Sequence, residues 1–158
     1  MRKNAFLLTL AVVALVFVGA VAVDAAAQDT NPRFGAWKMK SDAPAPRSNI
    51  MTYEPWGDGG MKITVASTNR GGESSEWGYV TLFDGAFRPV EGQQNAETAV
   101  EIVDERTTRI INKRNGRVSQ VIINTLSEDG NTISNEYVRM DADGKITRVT
   151  HAVYQRIE

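Results

Sequence analysis

Cysteine is absent from this chain of 158 residues, and histidine occurs once, at His151. Without cysteine there is no disulfide framework, no thiol nucleophile, no cysteine-based metal site and no lipid-modified cysteine anchor. With one histidine, any histidine-based metal site would draw its other ligands from carboxylates alone, so neither a metal nor a cofactor is expected. An excess of charge is missing too, since 18 Lys and Arg stand against 19 Asp and Glu. A basic face for nucleic acid or for an acidic membrane surface is therefore not expected. After Val23 no stretch shows the apolar recurrence of an amphipathic helix.

One long hydrophobic run is present. Arg2 and Lys3 precede an uncharged, largely apolar stretch of 19 residues from Ala5 to Val23, and Ala25, Ala26 and Ala27 follow. A cationic start, an apolar middle and small residues at the cleavage positions make the order of a secretory signal. A membrane anchor is the rival, for which about 20 apolar residues suffice. The Ala-x-Ala ending and the lack of a basic stop-transfer cluster favour cleavage after Ala27. Residues 1–27 are read as a removed signal peptide, and the product as exported, periplasmic or extracellular, with no membrane anchor. Removal takes away Arg2, Lys3 and Asp24 and leaves 16 basic against 18 acidic side chains in the 131 residues from Gln28.

A chain of that length makes one domain around one core. Residues 28–33 read as a flexible leader, and 41–47, with Pro44 and Pro46, as an extended connection. Residues 34–158 form the domain. They contain ten runs rich in Val, Ile, Thr and aromatics: FGAWKM, SNIMTYE, MKITVAST, EWGYVTLF, FRPVEG, TAVEIVD, TTRIINK, RVSQVIINTL, TISNEYVRM and KITRVTHAVYQRI. Short turn signals separate them, among them WGDGG, RNG, SEDGN and DADG. Asn-Gly and Asp-Gly tolerate the positive backbone angles of tight hairpins, so the flanking strands pair antiparallel. A meander of this length closes on itself, which removes its exposed edges. The expected fold is all-β, a single antiparallel up-and-down β-barrel of about ten strands; a two-sheet β-sandwich is the alternative.

FGAWKM, a Gly-x-Trp on the first strand of an exported barrel, resembles the opening signature of the lipocalins. The strand count and the final AVYQRI are similar to the fatty-acid-binding proteins, the related calycin family that closes with Arg-x-Tyr. The order of FGAWKM, APAPRS, TYEPWGDGGMKITV and FRPV also resembles small secreted bacterial proteins described as lipocalin-like. The resemblance implies a barrel that holds a small hydrophobic or amphiphilic molecule in its lumen. It also implies that an arginine of the last strand, Arg148 or Arg156, stacks on Trp37, so that Gly35, Trp37 and Arg156 form a structural closure. Two departures stand out. The position of the carboxylate-binding arginine is Ala152, which cannot supply charge-assisted bonds, and KSDAPAPRSN is too short and proline-rich for a helical lid.

Strand side chains alternate faces, so an inward Tyr154 brings Ile146, Arg148, Thr150, Ala152 and Arg156 with it. On the preceding run, Ile133, Asn135, Tyr137 and Arg139 compete with Ser134, Glu136, Val138 and Met140, and neither set is cleanly apolar. The ligand-binding candidates on this reading are Tyr154, Arg148, Tyr137 and Arg139. Trp56, in the WGDGG turn, is a further candidate at the barrel mouth, or an aromatic packed over its loop. The opposite register would place Val149, Val153 and Ile157 in a filled core. Trp77, Tyr79, Thr81 and Phe83 form an aromatic stripe read as core.

No catalytic residues are expected. Asp104 and Glu105 are adjacent and point apart, Asp141 to Gly144 lacks the remaining ligands of a calcium loop, and Ser119 and Ser134 have no nucleophile elbow. The functional expectation is a non-catalytic exported barrel that binds a small hydrophobic or amphiphilic ligand. The alternative is a packed barrel that binds a protein partner through a strand edge or its WGDGG and GQQNAET loops.

Overall fold

The computed structural model describes residues 31–158. The segment read as a signal peptide, and residues 28–30 of the leader, lie outside the described residues. The ten expected runs become ten strands: β1 (Gly35–Met39), β2 (Ser48–Trp56), β3 (Gly60–Thr68), β4 (Ser74–Thr81), β5 (Arg88–Pro89), β6 (Ala96–Ile102), β7 (Thr107–Arg114), β8 (Arg117–Leu126), β9 (Thr132–Met140) and β10 (Ile146–Arg156). All belong to one sheet in the order β4-β3-β2-β1-β10-β9-β8-β7-β6-β5, and every pairing is antiparallel. The sandwich alternative is overturned, because a sandwich needs two sheets. The first strand lies beside the last, with Trp37 opposite Arg156 and Met39 opposite Tyr154.

FRPVEG shortens to two strand residues. Pro89 has no N–H to give to a ladder and suits only an edge. The ring is then completed by two isolated bridges: Gly78 of β4 and Glu91, after β5, exchange hydrogen bonds of 3.1 and 2.8 Å, and Asp84, after β4, pairs with Glu101 of β6. A Cβ at Gly92, the residue after Glu91, would lie 2.7 Å from the Glu76 carbonyl oxygen of β4, and its φ is 76°, so this approach requires the missing side chain there.

The two ends of the barrel differ. At one end meet the start of β1, the end of β10 and the β2–β3, β6–β7 and β8–β9 hairpins. Here the Arg156 guanidinium lies 4.1 Å over the Trp37 ring and donates to the carbonyls of Gly130, Phe34 and Pro32. Arg33 sits beside this stack and is 5% exposed, so it belongs to the domain and not to a loose leader. The composition misled because a charged residue is rarely buried; here its guanidinium donates to Asn124 Oδ1 at 3.2 Å and to the Arg106 carbonyl. The indole N–H of Trp37 donates to the Arg33 carbonyl at 2.9 Å. These residues close this end.

Gly35 has a φ of 125°, and a Cβ there would collide with the Glu158 carbonyl oxygen. Gly35→Ala is expected to cost about 1–3 kcal/mol, the usual scale for a forced backbone conformation. A urea midpoint within error of the parent's would show that the chain terminus simply moves aside.

The opposite end, ringed by the β1–β2, β3–β4, β7–β8 and β9–β10 connections, is open. Lys40 to Arg47, which joins β1 to β2 at this end, has a bend at Ala43, a turn at Ala45–Pro46 and no helix. Trp56 is therefore misplaced in the sequence reading. It ends β2 opposite Gly60, 39% exposed, at the closed end and away from the mouth.

Candidate functional site

The register of β10 is settled by burial. Tyr154 is buried and faces inward, whereas Val149 and Ile157 are 56% and 48% exposed, so the packed-core register is overturned. On β9 the inward face is Ile133, Asn135, Tyr137 and Arg139, and on β8 it is Gln120, Ile122, Asn124 and Leu126, each pair directly opposite across the ladder. From the other side come Met51 and Tyr53 of β2, Ile63 and Val65 of β3, and Tyr79 of β4. Trp77 and Tyr79 stack with ring centroids 6.3 Å apart.

These side chains do not fill the interior. A lumen of about 250 Å³ remains, lined by apolar Met51, Ile63, Val65, Ile110 and Ile122, by the four tyrosines Tyr53, Tyr79, Tyr137 and Tyr154, and by the amides Asn49, Asn112, Gln120 and Asn135. Toward the open end it meets a vestibule of about 480 Å³, and the two share Trp77, Asn112, Gln120 and Arg139 as lining. The lumen opens through this vestibule, so its apolar lining faces water and loses the burial that a filled core would give it.

A chain of polar contacts runs the length of the lumen. Arg33 donates to Asn124, Asn124 Nδ2 donates to Asn135 Oδ1 at 2.8 Å, and Asn135 Nδ2 donates to the Tyr137 hydroxyl at 3.1 Å. The Tyr137 and Tyr154 hydroxyls are 3.4 Å apart, Tyr154 donates to Asn49 Oδ1 at 3.0 Å, and Asn49 Nδ2 donates to Ser67 Oγ at 2.6 Å. Among the described residues no buried side-chain polar atom lacks a partner. The Tyr79 hydroxyl opens onto the lumen and has no hydrogen-bond partner among the described residues.

Burial raises the hydroxyls of Tyr53, Tyr79 and Tyr154 above their ordinary value of 10.0, so all three stay neutral donors. Burial also pulls the Arg33 guanidinium below its usual range, opposed by Tyr53 and Asp104.

Of the residues singled out from the sequence, the fold brings Tyr154, Tyr137 and Arg139 to the lumen. Arg148 is exposed on β10 opposite Arg139, just past a bulge, and does not line the lumen. Trp56 lies at the other end, as described. Ala152, opposite Asn135, leaves the inner wall without a cation at that position. Glu136 and His151 are exposed and opposite each other, on the face turned away from Tyr154. Asp141 accepts bonds from the Asp143 and Lys145 amides and so serves its hairpin, and no group of three or more metal-ligating side chains occurs among the described residues. Sequence reasoning missed Asn49 and Arg33; Asn135, placed on the face of Tyr137 and Arg139, and Asn124 complete the polar spine of the interior.

Comparison with family models and with curated proteins finds no match. Solved structures do match. A Schistosoma mansoni fatty acid binding protein in complex with arachidonic acid is 14% identical, with a TM-score of 0.56 over 80% of this chain and 97% of that one. The chain has the barrel fold of the fatty-acid-binding proteins. The Echinococcus granulosus fatty-acid-binding protein 1 is 11% identical, with a TM-score of 0.55 over 80% and 98%. The fluorescent protein UnaG is 12% identical, with a TM-score of 0.52 over 78% and 96%. At such identities the likeness is one of fold, and function has to be argued from the lumen itself.

Proposed function

We propose that this chain is an exported, non-catalytic binding protein that takes a small hydrophobic or amphiphilic molecule into its barrel lumen. The observation that carries the reading is the unfilled interior, apolar on two sides and crossed by neutral hydroxyls and amides, with the Tyr79 hydroxyl left for a ligand oxygen. A concave, mostly apolar cavity with a few fixed polar groups is the general form of a small-molecule site. A packed interaction module has no use for such a void. That two barrels of this fold are named as fatty-acid-binding proteins supports the same reading. Export rests on the signal-like residues 1–27, and its test is the N-terminus of the secreted product, expected at Gln28.

Native mass spectra of protein isolated from its own periplasm, before and after solvent extraction, test the binding reading directly. A discrete added mass that extraction removes is the expected result. Ile110→Trp, which puts a larger ring into the lumen, is expected to abolish that mass. Its cost in stability should stay within the about 1–3 kcal/mol of an overpacked core. A variant that still carries the ligand would place binding elsewhere.

A further inference from the structure

Below Arg139 at its mouth, the lumen has hydrogen-bonding groups but no available charge. Its inner wall carries Ala152 where a cation would be needed, and Arg33, the nearest cation behind it, already donates to Asn124 and to the Arg106 carbonyl. A carboxylate pushed to that depth would lose its water without gaining an ionic partner, which is strongly unfavourable.

The mouth is different. Three cations and one acid, Glu97, line the vestibule. Lys113 sits 3.4 Å over the Phe87 ring, and Arg114 donates to the Gln94 carbonyl and to Gln93 Oε1. Arg139 lines both vestibule and lumen, and its guanidinium has no partner among the described residues. Its neighbour across one ladder is Gln120, whose Oε1 accepts from Asn112 at 3.1 Å while its NH₂ group stays free. Its neighbour across the other is Arg148. Like charges directly opposite on adjacent strands repel. The closest acids on the same hairpin are Asp141 and Asp143, and Asp141 is held by its own turn.

We propose that Arg139, helped by the Gln120 amide, is a rim site for the anionic head of an amphiphile whose apolar tail fills the lumen. The ligand lies head outward, and the neutral spine inside contacts its tail or a single uncharged oxygen. The proposal rests on the lumen being a ligand site. Carboxylate and phosphate heads share the required chemistry, a fork of N–H donors matched to two oxygens.

Displacement of an apolar fluorescent probe by decanoate, decyl phosphate, decanol and decyltrimethylammonium tests it. The lumen holds on the order of eight groups of water size, close to a chain of that length. In the parent at low salt the anions are expected to bind at least about 10-fold more tightly than decanol, the scale of one charge-assisted hydrogen bond. Arg139→Gln should erase that advantage and leave decanol unchanged, and Arg139→Glu should favour the ammonium compound instead. Added salt should weaken the anions alone. The head that loses more in Arg139→Gln is the one the rim prefers. If decanol binds while the anion advantage is absent, or survives Arg139→Gln, the rim site is wrong and the lumen reading stands. If none of the four binds the parent, both are wrong.

Discussion

Trp37→Ala is expected to remove most of the stability of the barrel. Trp37 is 0% exposed. Truncating a fully buried tryptophan costs about 3–5 kcal/mol, and the Arg156 guanidinium loses the ring it stacks on, worth a further ~1 kcal/mol. A domain has only about 5–15 kcal/mol in total. With a urea slope of about 2 kcal/mol/M, the midpoint should fall by about 2 M. Arg156→Lys should fall by less, because the charge is kept while the planar stack and the three-carbonyl fork are lost. Trp56→Ala, at a surface hairpin, should cost no more than about 1 kcal/mol. Equal losses at Trp37 and Trp56 would mean that the closed end is not where this barrel is held together.

Alkali should unfold the protein cooperatively. In the folded barrel, burial keeps the hydroxyls of Tyr53, Tyr79 and Tyr154 protonated well past the ordinary tyrosine value of 10.0. Once the chain unfolds, the same hydroxyls release their protons near that value. Above it the unfolded state holds fewer protons than the folded one, so stability is intact below pH 10 and declines as pH rises. Each tyrosine contributes a slope of about 1.4 kcal/mol per pH unit. Tyrosinate absorbance and loss of β structure should therefore appear together in one step. Tyr79→Phe should flatten the decline by about one tyrosine's share, with little cost at neutral pH, because no protein group bonds that hydroxyl. Tyrosinate forming in a still-folded barrel would show that the hydroxyls are open to water.

The all-β class was legible because strand periodicity is short and local: alternating Val, Ile, Thr and aromatics between Asn-Gly and Asp-Gly turns gave ten strands where ten exist. The inward face of β9 and β10 was not legible. Alternation identifies the buried side only when that side is apolar, and here the interior itself carries Asn124, Asn135, Tyr137 and Tyr154. Arg33 was hidden for the same reason, since its carbonyl and amide acceptors come from residues far away in the chain. The location of Trp56 was available and overlooked. Hairpins of a meander alternate between ends, so a closure built on Gly35, Trp37 and Arg156 requires the β2–β3 turn to lie at that same end.

The narrow seam beside the Gly78–Glu91 bridge makes closure of the barrel sensitive to one residue, Gly92. Long registers such as Ser48–Thr68 to Trp56–Gly60 hold most of the ring, but a side chain at Gly92 would press on the Glu76 carbonyl oxygen and force the last two edges apart. The product would be an open, curved sheet with two bare margins, each a template for the margin of another molecule. One methyl group there is expected to exchange a closed cavity for edges that pair between chains, and to show as a rise in sedimentation mass.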